Sequence, residues 1–218
     1  MRTMFVDHVR RQLALHELRE GSGHPLLILH GLGERSPTVA PSITQGWSGP
    51  VFALDFTGHG DSTLPAGGGY TCEALMSDAD AALAEIGPSV VLGYGLGAYV
   101  GLLLFGSRPR EIEGLVIADG SGFDGGGARP TSSKLLEVSS DQLGDTTPDP
   151  WALLELASDI RPPDYAVEHV RQVAALADMD KAVAVVSIGR PEWLEAAMES
   201  DVVFESDIAT ALSTFDRL

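Results

Sequence analysis

Short apolar runs alternate along the chain with longer segments of mixed character. Apolar and polar residues alternate over residues 4–9 and 12–18, which predicts two early antiparallel strands. Four continuous apolar runs then follow, of the kind typical of strands covered on both faces: residues 25–29, 51–54, 89–92 and 114–118. Helix-length segments separate most of them, so the pattern predicts parallel strands joined by crossover helices.

Helix signals lie between these runs. Thr71 is a candidate N-cap for a helix that reaches Ile86, and Gly87-Pro88 closes it. Residues 96–105 are apolar almost all round, which predicts a helix buried behind the sheet and ended by Gly106.

The pattern changes over residues 121–180, where glycine and proline interrupt it, as at Gly125-Gly126-Gly127 and Pro130. Helical pieces are predicted at residues 151–160 and 164–177. A strand at 182–188, a helix at 191–199, a strand at 202–204 and a helix at 208–215 follow. We therefore predict an α/β core formed by residues 1–120 and 181–218, with residues 121–180 inserted as a cap or lid over the sheet.

Composition narrows the classes of partner. The 31 acidic and 14 basic residues among 218 give a net charge of −17, which repels nucleic acid and anionic lipid surfaces. No apolar run approaches the roughly 18 residues that cross a bilayer. The N-terminus lacks the pattern of a signal peptide, so the expected location is cytoplasmic. The expected partner is a small-molecule ligand, and a homo-oligomer is left open.

The sequence gives little support for a metal site, a cofactor site or a catalytic thiol. The six histidines are dispersed and the single cysteine, Cys72, cannot start a zinc site, so no metal is expected. No glycine loop has the ending of a phosphate-binding loop, and no cofactor is expected. Cys72, which stands where a helix is predicted to begin, is a poor candidate for a catalytic thiol.

Three sequence motifs together resemble those of a known protein superfamily. His30-Gly31-Leu32-Gly33 directly follows a buried strand, a D-x-x-G-x-G-x-S loop occupies residues 55–62, and Gly93-Tyr94-Gly95-Leu96-Gly97 lies at a predicted strand-to-helix turn. In this order and spacing they resemble the α/β-hydrolase superfamily. The resemblance covers nearly the whole chain and implies the α/β-hydrolase fold: a central, mostly parallel sheet of about eight strands, with helices on both faces and a small helical cap.

The resemblance also assigns roles. The backbone N–H groups of Leu32 and Leu96 would form an oxyanion hole, and the loop at residues 55–62 would brace the neighbouring turns. His59 belongs to that loop pattern, so it is not expected to be catalytic. The implied ligand pocket is formed by His30, Gly31, Leu32, Tyr94, Gly95 and Leu96.

The elbow departs from the family at its central residue. In the family's G-x-S-x-G turn that position holds the nucleophile, and here it holds Gly95. Glycine has neither Oγ nor Sγ, so no atom can start acyl transfer. Its backbone easily adopts the strained conformation of such a turn.

The remaining triad positions are also altered. Glu192 stands where the family places its acid after the cap, and Asp119, at the end of the preceding strand, is a second candidate. Alternatively, Glu192 favours a helix N-terminus and Asp119 is a turn residue. The last histidine in the sequence is His169, inside a predicted cap helix, and Ser206 or Asp207 is predicted to cap the final helix.

Three hypotheses follow from this pattern. The leading one is an α/β-hydrolase-like protein without triad hydrolase activity, which binds a small apolar or carbonyl-containing ligand or a protein partner. The second is an enzyme of unusual chemistry, such as an atypical hydrolase, a lyase or a cofactor-free catalyst. It would use the Leu32 and Leu96 donors while Asp119, Glu192 or His30 moves a proton. The third is a role in assembly, with the pocket filled by side chains.

Overall fold

A single eight-stranded sheet forms the centre of the molecule. The computed structural model describes residues 1–126 and 147–217. The strands lie in the order β1-β2-β4-β3-β5-β6-β7-β8. Their bounds are β1 Arg2–His8, β2 Arg11–Arg19, β3 Leu26–Leu29, β4 Val51–Leu54, β5 Ser89–Tyr94, β6 Ile112–Ala118, β7 Val183–Val185 and β8 Val203–Glu205.

Strand direction agrees with the hydrophobic pattern. β1 pairs antiparallel with β2, and β2 antiparallel with β4. The remaining pairs, from β4–β3 to β7–β8, are parallel. The predicted α/β-hydrolase fold with about eight mostly parallel strands is confirmed.

Helices cover both faces of this sheet. They are α1 Cys72–Ile86, α2 Leu96–Ser107, α3 Pro150–Ser158, α4 Pro163–Leu176, α5 Glu192–Ala197 and α6 Ile208–Phe215. Successive side chains of β3 point to opposite faces. Leu27 and Leu29 join the larger apolar core with α1 to α5, and Leu26 and Ile28 join the smaller core with α6.

Local sequence signals explain where the helices begin and end. The Thr71 hydroxyl accepts a hydrogen bond from the Ala74 N–H at the start of α1, and Gly87 follows its last residue. Residues 96–106 of α2 are all buried, as the apolar sequence predicted. Asp207 caps α6 by accepting from the Thr210 N–H.

The helices predicted within the proposed cap are present at α3 and α4. Gly127 and Pro130 lie outside the described residues. α4 lies in the crossover between β6 and β7 and packs against α2 and α5. The division into a core and a cap stays a prediction. Within residues 1–126 and 147–217, no helix combines the length and apolar character needed to span a membrane.

Candidate functional site

The elbow between β5 and α2 has a sharply bent backbone. Gly95 has φ 53° and ψ −116°, a backbone conformation that residues with a side chain rarely adopt. Strand and helix approach so closely that a Cβ on Gly93 would lie 2.5 Å from the Ala98 Cα. A Cβ on Gly97 would lie 2.4 Å from the Leu29 carbonyl oxygen. The glycines therefore permit the tight turn that the motif predicted.

The two expected oxyanion-hole donors converge on one atom. The Leu32 and Leu96 N–H groups each donate to the carbonyl oxygen of Ser121, with N···O distances of 2.9 Å. Ser121 follows β6 and belongs to this chain's own main chain. The donors thus converge as the resemblance implied, but the atom that they hold is internal.

The same segment covers the position of a nucleophile. A Cβ built on Gly95 would lie 2.3 Å from the Ser121 oxygen and 2.4 Å from the Gly120 carbonyl carbon. Real Cβ atoms essentially never come this close to backbone. A serine or cysteine at position 95 would therefore require segment 119–126 to move.

Segment 119–126 is attached to three other parts of the fold: the loop after β3, the connection between α3 and α4, and α5. In each contact, a main-chain group of the segment or the Ser121 hydroxyl forms a hydrogen bond with a residue that is distant in sequence. The Ser121 hydroxyl donates to Glu34 (2.8 Å), Arg161 donates to the Gly122 oxygen, Trp193 Nε1 donates to the Phe123 oxygen (3.0 Å), and the Gly126 N–H donates to the Asp159 oxygen (2.7 Å).

The two candidate acids have different surroundings. The Asp119 carboxylate accepts from the N–H groups of Ile188 (2.7 Å) and Gly189 (2.9 Å), so it ties the loop after β7 to the end of β6. Glu192 is the first residue of α5 and is exposed. Asp119 thus holds the neighbouring loop as a turn residue, and Glu192 stands at a helix N-terminus.

His30 and His59 are neutral members of a buried network. His30 Nε2 accepts from the Phe56 N–H (3.1 Å), and Nδ1 faces the Gly31 oxygen (2.8 Å). Burial lowers the pKa of His30 below its usual value. Burial, with the nearby His30, lowers the pKa of His59 to about 4. His59 Nε2 accepts from the Gly33 N–H (3.2 Å), which braces the loop after β3.

Asp55 organises the second motif. Its carboxylate accepts from the Ser36 N–H (2.7 Å) and the Asp61 N–H (2.8 Å) and contacts His16 Nε2 (3.1 Å). Burial alone would raise the pKa of Asp55, but these hydrogen bonds together lower it. The loop thus has the bracing role that the motif implied.

His16, Asp55 and Asp61 each offer a ligand atom, all within 4.8 Å of one another. The sequence spacing gave no sign of this group, because His16 lies in β2, 39 residues before Asp55 and the loop that also carries Asp61. The hydrogen bonds just described already engage the Asp55 oxygens. The group therefore functions as a structural junction.

The last histidine of the sequence, His169, lies away from the elbow. His169 packs at the other end of α2, where a Cβ on Gly106 would lie 2.6 Å from its Cβ. Gly106 lies eleven residues after Gly95, a distance of about 16 Å along the helix. Ser206 and Asp207 are the residues that connect β8 to α6, and Asp207 serves as the helix cap.

Sequence reasoning missed Ser121 and Arg161, and it named Trp193 only as a residue that could line the pocket. Ser121 lies between Gly120 and Gly122, and a Cβ on Gly122 would lie 2.6 Å from the Leu32 Cβ. The flanking glycines were the available signal for a close approach. Nothing local to Arg161 or Trp193 indicated their partners, which are 39 and 70 residues away.

Comparisons with known proteins agree with this architecture. The model of the alpha/beta hydrolase family matches residues 26–213. The structure resembles haloalkane dehalogenase DatA from Agrobacterium tumefaciens with a TM-score of 0.62, covering 99% of this chain and 94% of that chain. Their sequences are 14% identical, so this likeness concerns the fold alone.

Two curated proteins are similar in sequence. Lipase LipV of Mycobacterium tuberculosis is 30% identical over 173 residues, which cover 74% of this chain and 63% of LipV. The mouse sn-1-specific diacylglycerol lipase ABHD11 is 31% identical over 99 residues, or 43% of this chain and 32% of the mouse protein. The matched part of this chain thus spans between 32% and 63% of the length of these relatives.

Proposed function

This chain belongs to the alpha/beta hydrolase family, and from that premise we propose that it is a non-hydrolytic member that binds a small ligand. The position of the Ser121 carbonyl carries the proposal. That oxygen takes both oxyanion-hole donors, and it lies where a side chain on Gly95 would have to be.

The proposal accounts for several departures from a triad together. Gly95 offers no nucleophilic atom. Asp119, one candidate acid, already accepts two N–H groups from the loop after β7. The connection from β8 to α6, where the family carries its histidine, consists of Ser206 and Asp207. A general base is thus missing at the place where the triad needs it.

Catalysis of another kind is less well supported. An enolate or alkoxide would need free donors at Leu32 and Leu96. Those groups are engaged with Ser121 at 2.9 Å, so a substrate oxygen would have to displace a main-chain carbonyl from two hydrogen bonds. The relatives are named as lipases. For this chain, that activity would require the missing nucleophile.

The test combines ester hydrolysis with active-site labelling. The purified protein is expected to hydrolyse p-nitrophenyl butyrate no faster than buffer and to resist labelling by a fluorophosphonate probe. Introducing a hydroxyl at the elbow with Gly95→Ser is expected to leave both results unchanged. It should also lower the free energy of unfolding by about 2–3 kcal/mol, through the clash with Ser121 and the positive φ.

Gly69→Ser is the matched control, because Gly69 also has a positive φ (90°) but a Cβ there meets nothing within 4 Å. It should cost only the backbone strain. Two results would contradict the proposal. One is saturable ester hydrolysis by the unaltered protein that Asp119→Asn or Glu192→Gln abolishes. The other is covalent labelling of Gly95→Ser at position 95.

A further inference from the structure

The strand β1 forms one edge of the sheet, and no other strand of the described residues pairs with its outer side. Its hydrogen-bond directions follow from Ala14 of β2, which lies opposite Phe5. The Ala14 N–H donates to the Ser62 hydroxyl (2.8 Å), and its oxygen accepts from the Asp55 N–H (3.0 Å), both on the side away from β1. Opposite residues of an antiparallel pair exchange both hydrogen bonds or neither, so Phe5 also directs its N–H and carbonyl away from β2.

The outer side of β1 carries none of the usual devices that protect a sheet edge. Thr3 and Asp7 share the outward direction of Phe5, because directions alternate along a strand. Edge strands are normally protected by proline, lysine, a bulge or very short length. β1 contains neither proline nor lysine, and its seven residues pair with β2 in one unbroken register from Arg2 to His8. At its centre Phe5 is 58% exposed, so the edge is a template for another strand.

The inner contacts of β1 hold it in place for such a partner. Met4 and Val6 pack against the larger apolar core. His8 Nε2 forms a hydrogen bond of 2.9 Å with the Ser77 hydroxyl of α1. The strand is therefore already ordered, and pairing with it requires little further loss of conformational entropy.

Exposed apolar side chains stand at both ends of β1 as well as at its centre. Met1 is 65% exposed, and Val9, in the turn to β2, is 92% exposed. Val9 also has φ 57°, which is unfavourable for a β-branched residue. Met1, Phe5 and Val9 are spaced four residues apart, so they are symmetric about Phe5.

We propose that β1 pairs antiparallel with β1 of a second copy of this chain, across a two-fold axis at Phe5. Phe5 then lies opposite Phe5 of the second copy, and Thr3 lies opposite Asp7. These are the residues whose N–H and carbonyl groups point outward, so each of these groups gains a partner. The same register places Met1 beside Val9. The inference goes beyond the proposed function and does not depend on it.

Charge favours a second copy as the occupant of this edge. Residues 1–19 contain four arginines and two acidic residues, whereas the whole chain has a net charge of −17. Each basic hairpin is therefore attracted to the other copy as a whole, while other faces of two such acidic molecules repel each other. Closed two-fold dimers are also the commonest symmetric assemblies.

Charge also selects the register of the pairing. With the axis at Phe5, the two Asp7 residues are four residues apart, or about 14 Å, which exceeds the screening length of about 8 Å at physiological ionic strength. A register shifted by one pair toward the turn would bring them to about 7 Å. A shift the other way would move Asp7 past the end of the opposing strand.

Sedimentation velocity of the full chain over a range of concentrations tests the assembly, and it should show a dimer. Phe5→Lys places two positive charges opposite each other at the axis and should weaken dimerisation at least about tenfold. Ile188→Lys is the matched control, because Ile188 is also an exposed apolar residue (91%) but follows β7, far from β1 in the sheet. It should dimerise as the unaltered protein does.

Disulfide trapping tests the register. Opposite Cα atoms of a hydrogen-bonded pair are about 5.5 Å apart, within the range that a disulfide spans. Phe5→Cys should therefore give a covalent dimer on mild oxidation, seen by non-reducing electrophoresis. Asp7→Cys, on the same face of the strand, should not, because its two copies are too far apart. The natural Cys72 is buried and should not form a link in either variant.

Three results would overturn the inference: a monomer at every concentration, a dimer that Phe5→Lys leaves as strong as before, or trapping at position 7 as efficient as at position 5. If Phe5→Lys does not fold, the comparison of the two cysteine variants still decides. A monomer that hydrolyses no ester refutes the dimer and leaves the proposed function intact. Ester hydrolysis by a dimer refutes the proposed function alone.

Discussion

At the scale of a single residue, the main-chain oxygen of Ser121 accepts hydrogen bonds from both donors at the elbow. It satisfies two N–H groups that a hydrolase keeps free for its transition state. The polar groups at the elbow are therefore paired inside the protein, and no ligand is needed to complete them. The elbow is therefore stable in a conformation that leaves no oxyanion-hole donor free for acyl transfer.

His59 gives a second consequence at this scale, in the dependence of stability on pH. Its pKa is lowered from 6.5 to about 4 by burial, so between these values the unfolded chain binds a proton that the folded chain excludes. Stability should therefore fall as the pH decreases from 6.5 to 4, and His59 should account for about 3 kcal/mol at most. Urea denaturation at pH 7 and pH 4.5 measures this loss.

His59→Gln is the control for this prediction, because its amide oxygen can still accept from the Gly33 N–H but does not titrate. The variant should lose less stability than the unaltered protein over the same interval. An identical loss in both proteins would show that other groups, such as the buried His30, dominate the acid transition.

At the scale of secondary-structure elements, Asp119 ties the loop after β7 to the end of β6, and Glu192 begins α5. Asp119→Ala would leave two N–H groups of the loop after β7 without their acceptor. We expect it to lower the free energy of unfolding by about 1–2 kcal/mol. Glu192→Ala removes an exposed carboxylate from the first turn of α5 and should cost only about 0.5 kcal/mol. Chemical denaturation of the two variants provides the comparison, and a larger loss for Glu192→Ala would contradict these assignments.

Elements were also what the sequence predicted best. The strands and helices follow from apolar runs, from Thr71 and Asp207 as caps and from Gly87 as a terminator, all of which act within a few residues. The contacts of segment 119–126 could not be predicted in this way. They depend on Leu32 and Trp193, which only the folded sheet brings beside Ser121 and Phe123.

At the scale of the whole molecule, the order of the strands explains why one segment can meet so many partners. β3, β5, β6 and β7 are neighbours and parallel, so the loops after their last residues meet at one edge. In relatives of this fold, that edge is where ligands bind. In this chain, the loop after β6 lies across the loops after β3 and β5 and thereby covers the elbow.

The shared acceptor also links two amide protons that are 64 residues apart in sequence, those of Leu32 and Leu96. Both can exchange with deuterium only when the Ser121 carbonyl withdraws, because one oxygen holds both. Their protection factors should therefore be nearly equal and should fall together in Trp193→Phe, which loses the bond to the Phe123 oxygen. Two unrelated protection factors, measured by NMR, would mean that each amide opens by itself. Nearly equal ones would instead give the free energy of uncovering the elbow.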